Sequence, residues 1–387
     1  MVKMIKREIQ KELISLTREY PVVTLTGPRQ AGKTTLVRMA FPDYNYCNLE
    51  HPEIREIARS DPKALFNKYR APVILDEIQR VPQLLSFIQV MVDARPKKGS
   101  FILTGSNQLS LDEAVSQSLA GRTALLRLLP LSINELTNAG INYNRDKLIT
   151  TGFLPGVYSN KLNPYKAYRN YFQTYIERDL KQLIKIKELI HFENFMRLLA
   201  GRTAQELNLH SISNDLGVSS TTLAQWLSIL EASFVVMRIY PYYKNFGKRI
   251  IKSPKLLFTE TGLVSYLLGI ESANQVSSHP LLGQLFENMV IMDAVKTRLN
   301  KGEDHNIFFY RDNNRNEVDM IFKGKGGLIP VEIKSAMTFN DDLLKGIRFF
   351  QRTVSTAKKG YLIYSGDLSF RKGRIEIINF INAHKIF

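Results

Sequence analysis

The stretch GPRQAGKT at residues 27–34 follows the apolar run VVTLT at 22–26 and opens the helical-looking stretch KTTLVRMAF. Its spacing is that of a phosphate-binding loop: glycine, four residues, glycine, lysine, then a hydroxyl residue, set between a strand and a helix. Gly27 and Gly32 let the chain turn tightly. The loop they bound, with Pro28, Arg29, Gln30 and Ala31 and continuing to Thr35, then aims consecutive backbone amides at an anion on the helix N-terminus. Lys33 is expected to reach the β and γ phosphates of ATP, and Thr34 to place its hydroxyl on Mg²⁺.

Working outward, LDE at 75–77 closes the apolar run PVIL. Asp76 at a strand end is placed to hold the magnesium through water, and the adjacent Glu77 to polarise an attacking water as general base. A further run, FILTG at 101–105, ends at Ser106 and Asn107. A polar side chain there would touch the γ phosphate or the lytic water; the alternative is a polar turn after a strand. Arg122, in SLAGR, is the candidate for an arginine acting on the phosphates of a neighbouring subunit, a role that requires at least a homodimer.

Short apolar runs recur through the first third of the chain, at 22–26, 44–49, 72–77, 101–105 and 124–129, with helical stretches between them. That alternation predicts a parallel sheet covered on both faces. An amphipathic helix carrying Met4, Ile5, Ile9, Leu13 and Leu16 is expected to precede it. The fold class is therefore α/β multidomain. A P-loop AAA-like domain spans 1–140, a helical and winged-helix-like domain 141–275, and a smaller α/β domain 276–387.

GPRQAGKTTL, VILDEIQ, FILTGS and SLAGR, followed by TGFLPGVY and YIERDL, resemble the AAA-family ATPases of bacteria and archaea that carry a C-terminal domain of unknown function. The resemblance runs over nearly the whole chain. It implies an AAA core, a helical or winged-helix middle and a nuclease-like end. One departure is Thr151 where a glycine pair is expected, which bears on the turn geometry of TGFLPGVY.

Residues 211–230 read as a helix, a turn at Leu216 and Gly217, and a second helix capped by Ser219 or Ser220, the spacing of a helix-turn-helix. Beyond it, two strands joined by a basic loop would form a wing. Lys244, Lys248, Arg249, Lys252 and Lys255 fall within twelve residues that contain no acid, interleaved with aromatic side chains. The mixture suits a phosphate backbone or stacked bases. The second helix is largely apolar, so packing beside the nucleotide is the alternative to DNA contact.

In the last domain Glu287 lies on a helix, Asp319 ends NEVD, and Glu332 and Lys334 belong to VEIK. Strand alternation puts Glu332 and Lys334 on one face. Asp319 and Glu332, with Glu287, could hold a Mg²⁺ that carries a phosphodiester while Lys334 orients the attacking water. The order resembles the PD-(D/E)XK nuclease core. An ordinary charged strand face, or an inactive centre on the same fold, is the alternative.

Composition sets the outer limits. The 387 residues carry 53 Lys and Arg against 36 Asp and Glu, a formal charge of +17, which favours association with DNA through counterion release. A single cysteine, Cys47, excludes an internal disulfide framework and a cysteine-built zinc site. Charges break up the apolar positions of the N-terminal stretch, and no window reaches the uncharged length of a membrane span, so a cytoplasmic protein with no membrane partner is expected.

Overall fold

The computed structural model describes residues 4–106, 118–175, 189–242, 253–314 and 316–387. The expected site residues Asn107, Lys244, Lys248, Arg249 and Lys252 lie outside the described residues, as does the far half of the stretch at 164–186.

The five apolar runs form five strands: β1 (Val22–Thr26), β2 (Asn45–Asn48), β3 (Val73–Asp76), β4 (Phe101–Gly105) and β5 (Thr123–Arg127). All pair in parallel, in the order β2-β3-β4-β1-β5. The central strands are apolar on both faces because each face is covered. Val22, Leu75 and Leu103 pack on one side with Leu84, Leu85 and Ile88 of the helix Leu84–Ala94. On the other side Val23, Leu25, Ile74 and Ile102 meet Ile9 and Leu13, along with Leu36 and Val37 of α2 (Lys33–Ala40).

The opening helix is shorter than its periodicity predicts. Here α1 covers Gln10–Thr17 only, and Met4 is exposed. The reason lies at Arg7, whose buried guanidinium turns inward to bond main-chain carbonyls near the phosphate loop, and a regular helix from Met4 would not deliver it there.

After β5 the chain enters α3 (Ile133–Asn138), α4 (Arg145–Thr151) and α5 (Pro155–Ser159). The turn between α4 and α5 uses one glycine. Gly152 has φ 63°, and a Cβ there would lie 2.1 Å from the Tyr168 hydroxyl and 2.2 Å from a Glu260 carboxylate oxygen, so Thr151 can end the helix without a glycine of its own.

The helix pair at 211–230 is present as α6 (Leu209–Leu216) and α7 (Ser220–Ala232). Gly217 closes the first at φ 68°, and the Ser219 hydroxyl caps the second by accepting from the Thr222 amide. Leu223, Trp226, Leu227 and Leu230 are buried, while Thr221, Gln225 and Ser228 face outward. Two antiparallel strands follow, β6 (Val236–Ile239) and β7 (Lys255–Phe258).

The last part is α8 (Leu282–Asn300) against a six-stranded mixed sheet: β8 (Ile307–Arg311), β9 (Glu317–Gly324), β10 (Gly327–Lys334), β11 (Gly360–Tyr364), β12 (Phe370–Lys372) and β13 (Ile375–Asn379). Its order is β12-β13-β11-β10-β9-β8, and α9 (Lys345–Thr353) packs on β9 and β10. One large apolar cluster joins Leu129 and Leu131 to the middle helices, to α8 and to Phe387. No helix among the described residues is long and apolar enough to cross a membrane.

Candidate functional site

The phosphate loop leaves β1 at Gly27, whose φ is 152° and whose absent Cβ would stand 2.0 Å from the Leu128 carbonyl oxygen. Only glycine fits a backbone that close. Gln30 and Gly32 also take positive φ, at 62° and 91°. The Lys33 ammonium is buried and donates to the carbonyls of Gly27 (2.8 Å) and Pro28 (2.9 Å). Burial lowers its pKa to about 8, against the pull of Glu77 and Asp76.

Across from the loop, Asp76 ends β3 and is ringed by hydroxyls. Its Oδ2 accepts from Thr34 (2.8 Å) and Tyr46 (2.7 Å), and its Oδ1 accepts from Thr104 of β4. Burial and the hydrogen bond to Asp76 push the Tyr46 phenol upward, so it stays a donor. Thr34 and Asp76 thus present adjacent oxygen ligands where the loop meets the sheet. That pair fits a hard cation such as Mg²⁺, which takes one or two protein oxygens and fills the rest of its octahedron with phosphate and water.

Glu77 follows in a left-handed conformation, φ 60° and ψ 47°, which turns its side chain off the strand end. Its Oε2 accepts from Ser106 Oγ (3.1 Å) and from the Gln79 amide, which also donates to Ser106 Oγ (3.2 Å). The structure therefore brings Glu77, Ser106, Lys33, Thr34 and Asp76 to one end of the sheet. Gln79 joins them, although its place in VILDEIQ assigns it no part.

Two further contributions are invisible in the motif spacing. Arg7 donates to the Ala31 carbonyl in the loop (2.7 Å), to the Leu129 carbonyl (2.7 Å) and to Glu135 (3.0 Å), so it braces the loop from behind. The cleft over the loop, about 1110 Å³, is walled by Arg29, Gln30 and Thr35 and also by Pro155, Asn160 and Tyr175 from the following segment. Arg29 lies over the Tyr175 ring at 5.5 Å. Nothing in the local spacing of TGFLPGVY shows that it closes a pocket begun at the far end of the AAA segment.

Arg122 stands apart. It precedes β5 at the end of the sheet away from the loop, about 16 Å distant by strand rise, and grips Asp93 with bonds of 2.6 and 2.9 Å. It reaches no phosphate held by its own loop.

A second opening, of about 670 Å³, lies between the middle segment and the last sheet. The Lys334 ammonium stands 2.7 Å from Asp319 Oδ2 and 2.6 Å from Glu332 Oε2, and the Ile333 amide donates to the same Asp319 oxygen at 2.8 Å. Glu287 on α8 joins them, so the four residues named from the sequence do share one pocket. Burial raises Glu287 to about 7 in spite of Lys255. Burial and Asp319 raise Glu332 well above the usual carboxylate range; for Asp319 the opposing burial is outweighed by Lys334 and Lys255, and its pKa falls.

Lys255 corrects the expected basic face. It is 3% exposed, and its ammonium lies 2.7 Å from Glu287 Oε1 and 2.7 Å from Glu317 Oε1. It is not available to a phosphate backbone at the surface, because the first residue of β7 points into the carboxylates. At Asp319 and Glu332, where a metal is expected, the facing oxygens share the Lys334 ammonium. No group of three or more His, Cys, Asp or Glu side chains among the described residues is arranged to hold an ion.

Three family models match the chain in turn: an AAA domain at residues 19–137, a domain of unknown function (DUF8612) at 143–274, and another (DUF4143) at 282–385. The Walker-type ATPase PABY2304 of Pyrococcus abyssi is similar with a TM-score of 0.45 and 13% identity, over 67% of this chain and 94% of that one. AMPPCP-bound DnaA from Aquifex aeolicus gives 0.30 and 16%, over 58% and 85%. Uncharacterized protein Rv2008c of Mycobacterium tuberculosis and Uncharacterized protein Mb2031c of Mycobacterium bovis are each 30% identical over 336 residues, 86% of this chain and 74% of theirs. With a likeness spanning most of both proteins, the chain belongs to the family of these mycobacterial proteins, and its residues 19–137 form an AAA domain that carries a complete phosphate loop.

Proposed function

We propose that the chain hydrolyses ATP with Mg²⁺ at the Gly27–Thr34 loop and acts on or with DNA. The observation that carries the ATPase reading is the 2.8 Å contact from Thr34 to Asp76, which joins the loop to the strand end bearing Glu77. Lys33 offers its charge to the phosphate oxygens in place of the two loop carbonyls. Thr34 and Asp76 would hold the metal, which would supply charge neutralisation at the β and γ phosphates. Glu77 takes the proton of the attacking water, with its carboxylate aimed by Ser106 and Gln79. Arg122 contributes to hydrolysis only from another copy of the chain.

DNA as a partner is supported by the charge of +17 and by the capped helix pair α6 and α7 beside the two-stranded β6-β7 ribbon. The C-terminal centre is read as PD-(D/E)XK-like because Asp319, Glu332 and Lys334 meet in one opening with Glu287.

Measuring ATP hydrolysis with and without Mg²⁺ and DNA, for wild type and Glu77→Gln, tests the proposal. Glu77→Gln should bind ATP and lose hydrolysis by about 10²–10⁴-fold. Hydrolysis at the wild-type rate would remove Glu77 as the base, and the absence of Mg²⁺-dependent ATP affinity in wild type would remove the whole reading.

A further inference from the structure

We infer that Lys255 is the resident cation of the C-terminal carboxylate cluster, in which two lysines are shared among four carboxylates and no divalent metal is taken up. Six acids line the opening, and four of them, Glu287, Glu317, Asp319 and Glu332, each have an ammonium within 2.7 Å. Lys255 joins Glu287 to Glu317, and Lys334 joins Asp319 to Glu332. A Mg²⁺ ion demands a near-octahedral shell of oxygens at about 2.0–2.1 Å. To assemble one here, it would have to separate carboxylate oxygens from ammonium groups that already lie between them.

Lys255 is held on all sides, being 3% exposed. Lys255 begins β7, and the backbone on both sides of it is fixed: the Leu256 amide donates to the Gln205 carbonyl at 3.0 Å, and the Leu207 amide donates to the Pro254 carbonyl at 2.8 Å. Lys255 itself pairs with Ile239 of β6 and bridges Glu206. The strand fixes where its Cα sits, and burial leaves the ammonium between the two carboxylates. Glu332 is equally confined, because α9 presses on it at Gly346, where a Cβ would stand 1.9 Å from Glu332 Oε1. A carboxylate held between an ammonium and a helix backbone cannot swing out to a new ligand.

The arrangement crosses the boundary between segments. Lys255 comes from the middle of the chain, whereas its partners lie on α8 and β9, so the middle segment supplies the charge that the C-terminal acids need. Arg311, also in this opening, is paired to Glu206 at 2.8 Å. The inference does not depend on the ATPase reading, whose metal ligands are Thr34 and Asp76.

The test is a Mn²⁺ titration of the full chain without nucleotide, followed by calorimetry and by the paramagnetic signal of free Mn²⁺. Wild type and Asp319→Asn should bind the same number of ions; any ion insensitive to Asp319→Asn lies elsewhere and leaves this cluster metal-free as inferred. Lys255→Ala should gain one ion that wild type does not bind, and adding Glu287→Gln should abolish it. Lys255→Met, which keeps the apolar stem, replaces the alanine variant if that one does not fold. The inference is overturned by a wild-type Mn²⁺ ion that Asp319→Asn removes, or by a folded Lys255 variant that gains no ion.

Discussion

Replacing Arg7 by methionine keeps the aliphatic stem and removes a guanidinium that is 7% exposed. Glu135, whose side chain is fully buried, then loses its cationic partner and retains only the amides of Glu8 (2.8 Å) and Ser132 (2.9 Å). Breaking a buried ion pair from one side costs about 3–5 kcal/mol. The carbonyls of Ala31 and Leu129 lose charged donors in the same step, so the loop and the start of α3 should loosen together. At about 1.36 kcal/mol per factor of ten, amide exchange in residues 128–136 and 28–34 should speed up by roughly two to nearly four orders of magnitude. Glu135→Gln in the same chain removes the stranded charge but turns one acceptor into a donor facing a backbone amide, a cost of about 1–3 kcal/mol. The double variant should therefore be less destabilised than the sum of the singles. Hydrogen exchange read by mass spectrometry measures all four species. An acceleration under about fivefold in Arg7→Met, or strict additivity with Glu135→Gln, would refute the bracing role.

Gln79→Ala removes the amide that fixes Glu77 Oε2, so steady-state kinetics should show kcat lower by about tenfold with the KM for ATP unchanged; an equal loss of ATP affinity would point to a structural role instead. Burial raises Asp293 to about 6, so the folded state holds its proton more tightly than the unfolded chain does. Its stabilising contribution is full below the ordinary value of 3.8 and is lost as pH rises through 6. Asp293→Asn keeps an acceptor for the Ile133 amide and does not titrate. Relative to wild type it should gain about 1.4 kcal/mol between pH 5 and pH 7, and parallel stability curves would contradict the assignment.

The phosphate loop is legible because its chemistry is local. Glycines at fixed offsets and a lysine between strand and helix leave few alternatives, and the five strands follow from apolar runs. The same locality explains the misses. Arg7 sits within a helical stripe, yet its partners lie near residues 31, 129 and 135. Lys255 closes a run of bases without acids and so reads as surface; its acids lie 32 and 62 residues further on, at Glu287 and Glu317. The pocket of Glu287, Asp319, Glu332 and Lys334 can be found because strand alternation fixes two of its members on one face, whereas its counter-charge comes from another segment.

The joint between α3 and α8 bears on how this chain can be dissected. The Asp293 carboxylate accepts from the Ile133 amide at 2.7 Å, and the Lys296 ammonium donates to the Leu131 carbonyl at 3.0 Å, so the end of the AAA segment is completed by a helix from the last third of the chain. A fragment stopping near residue 137 would strand both polar groups and bare the apolar side chains of Leu129, Leu131 and Leu136. The AAA match ends at residue 137, and a polypeptide trimmed to it would be an incomplete folding unit, prone to clump unless the complementary piece is supplied in trans.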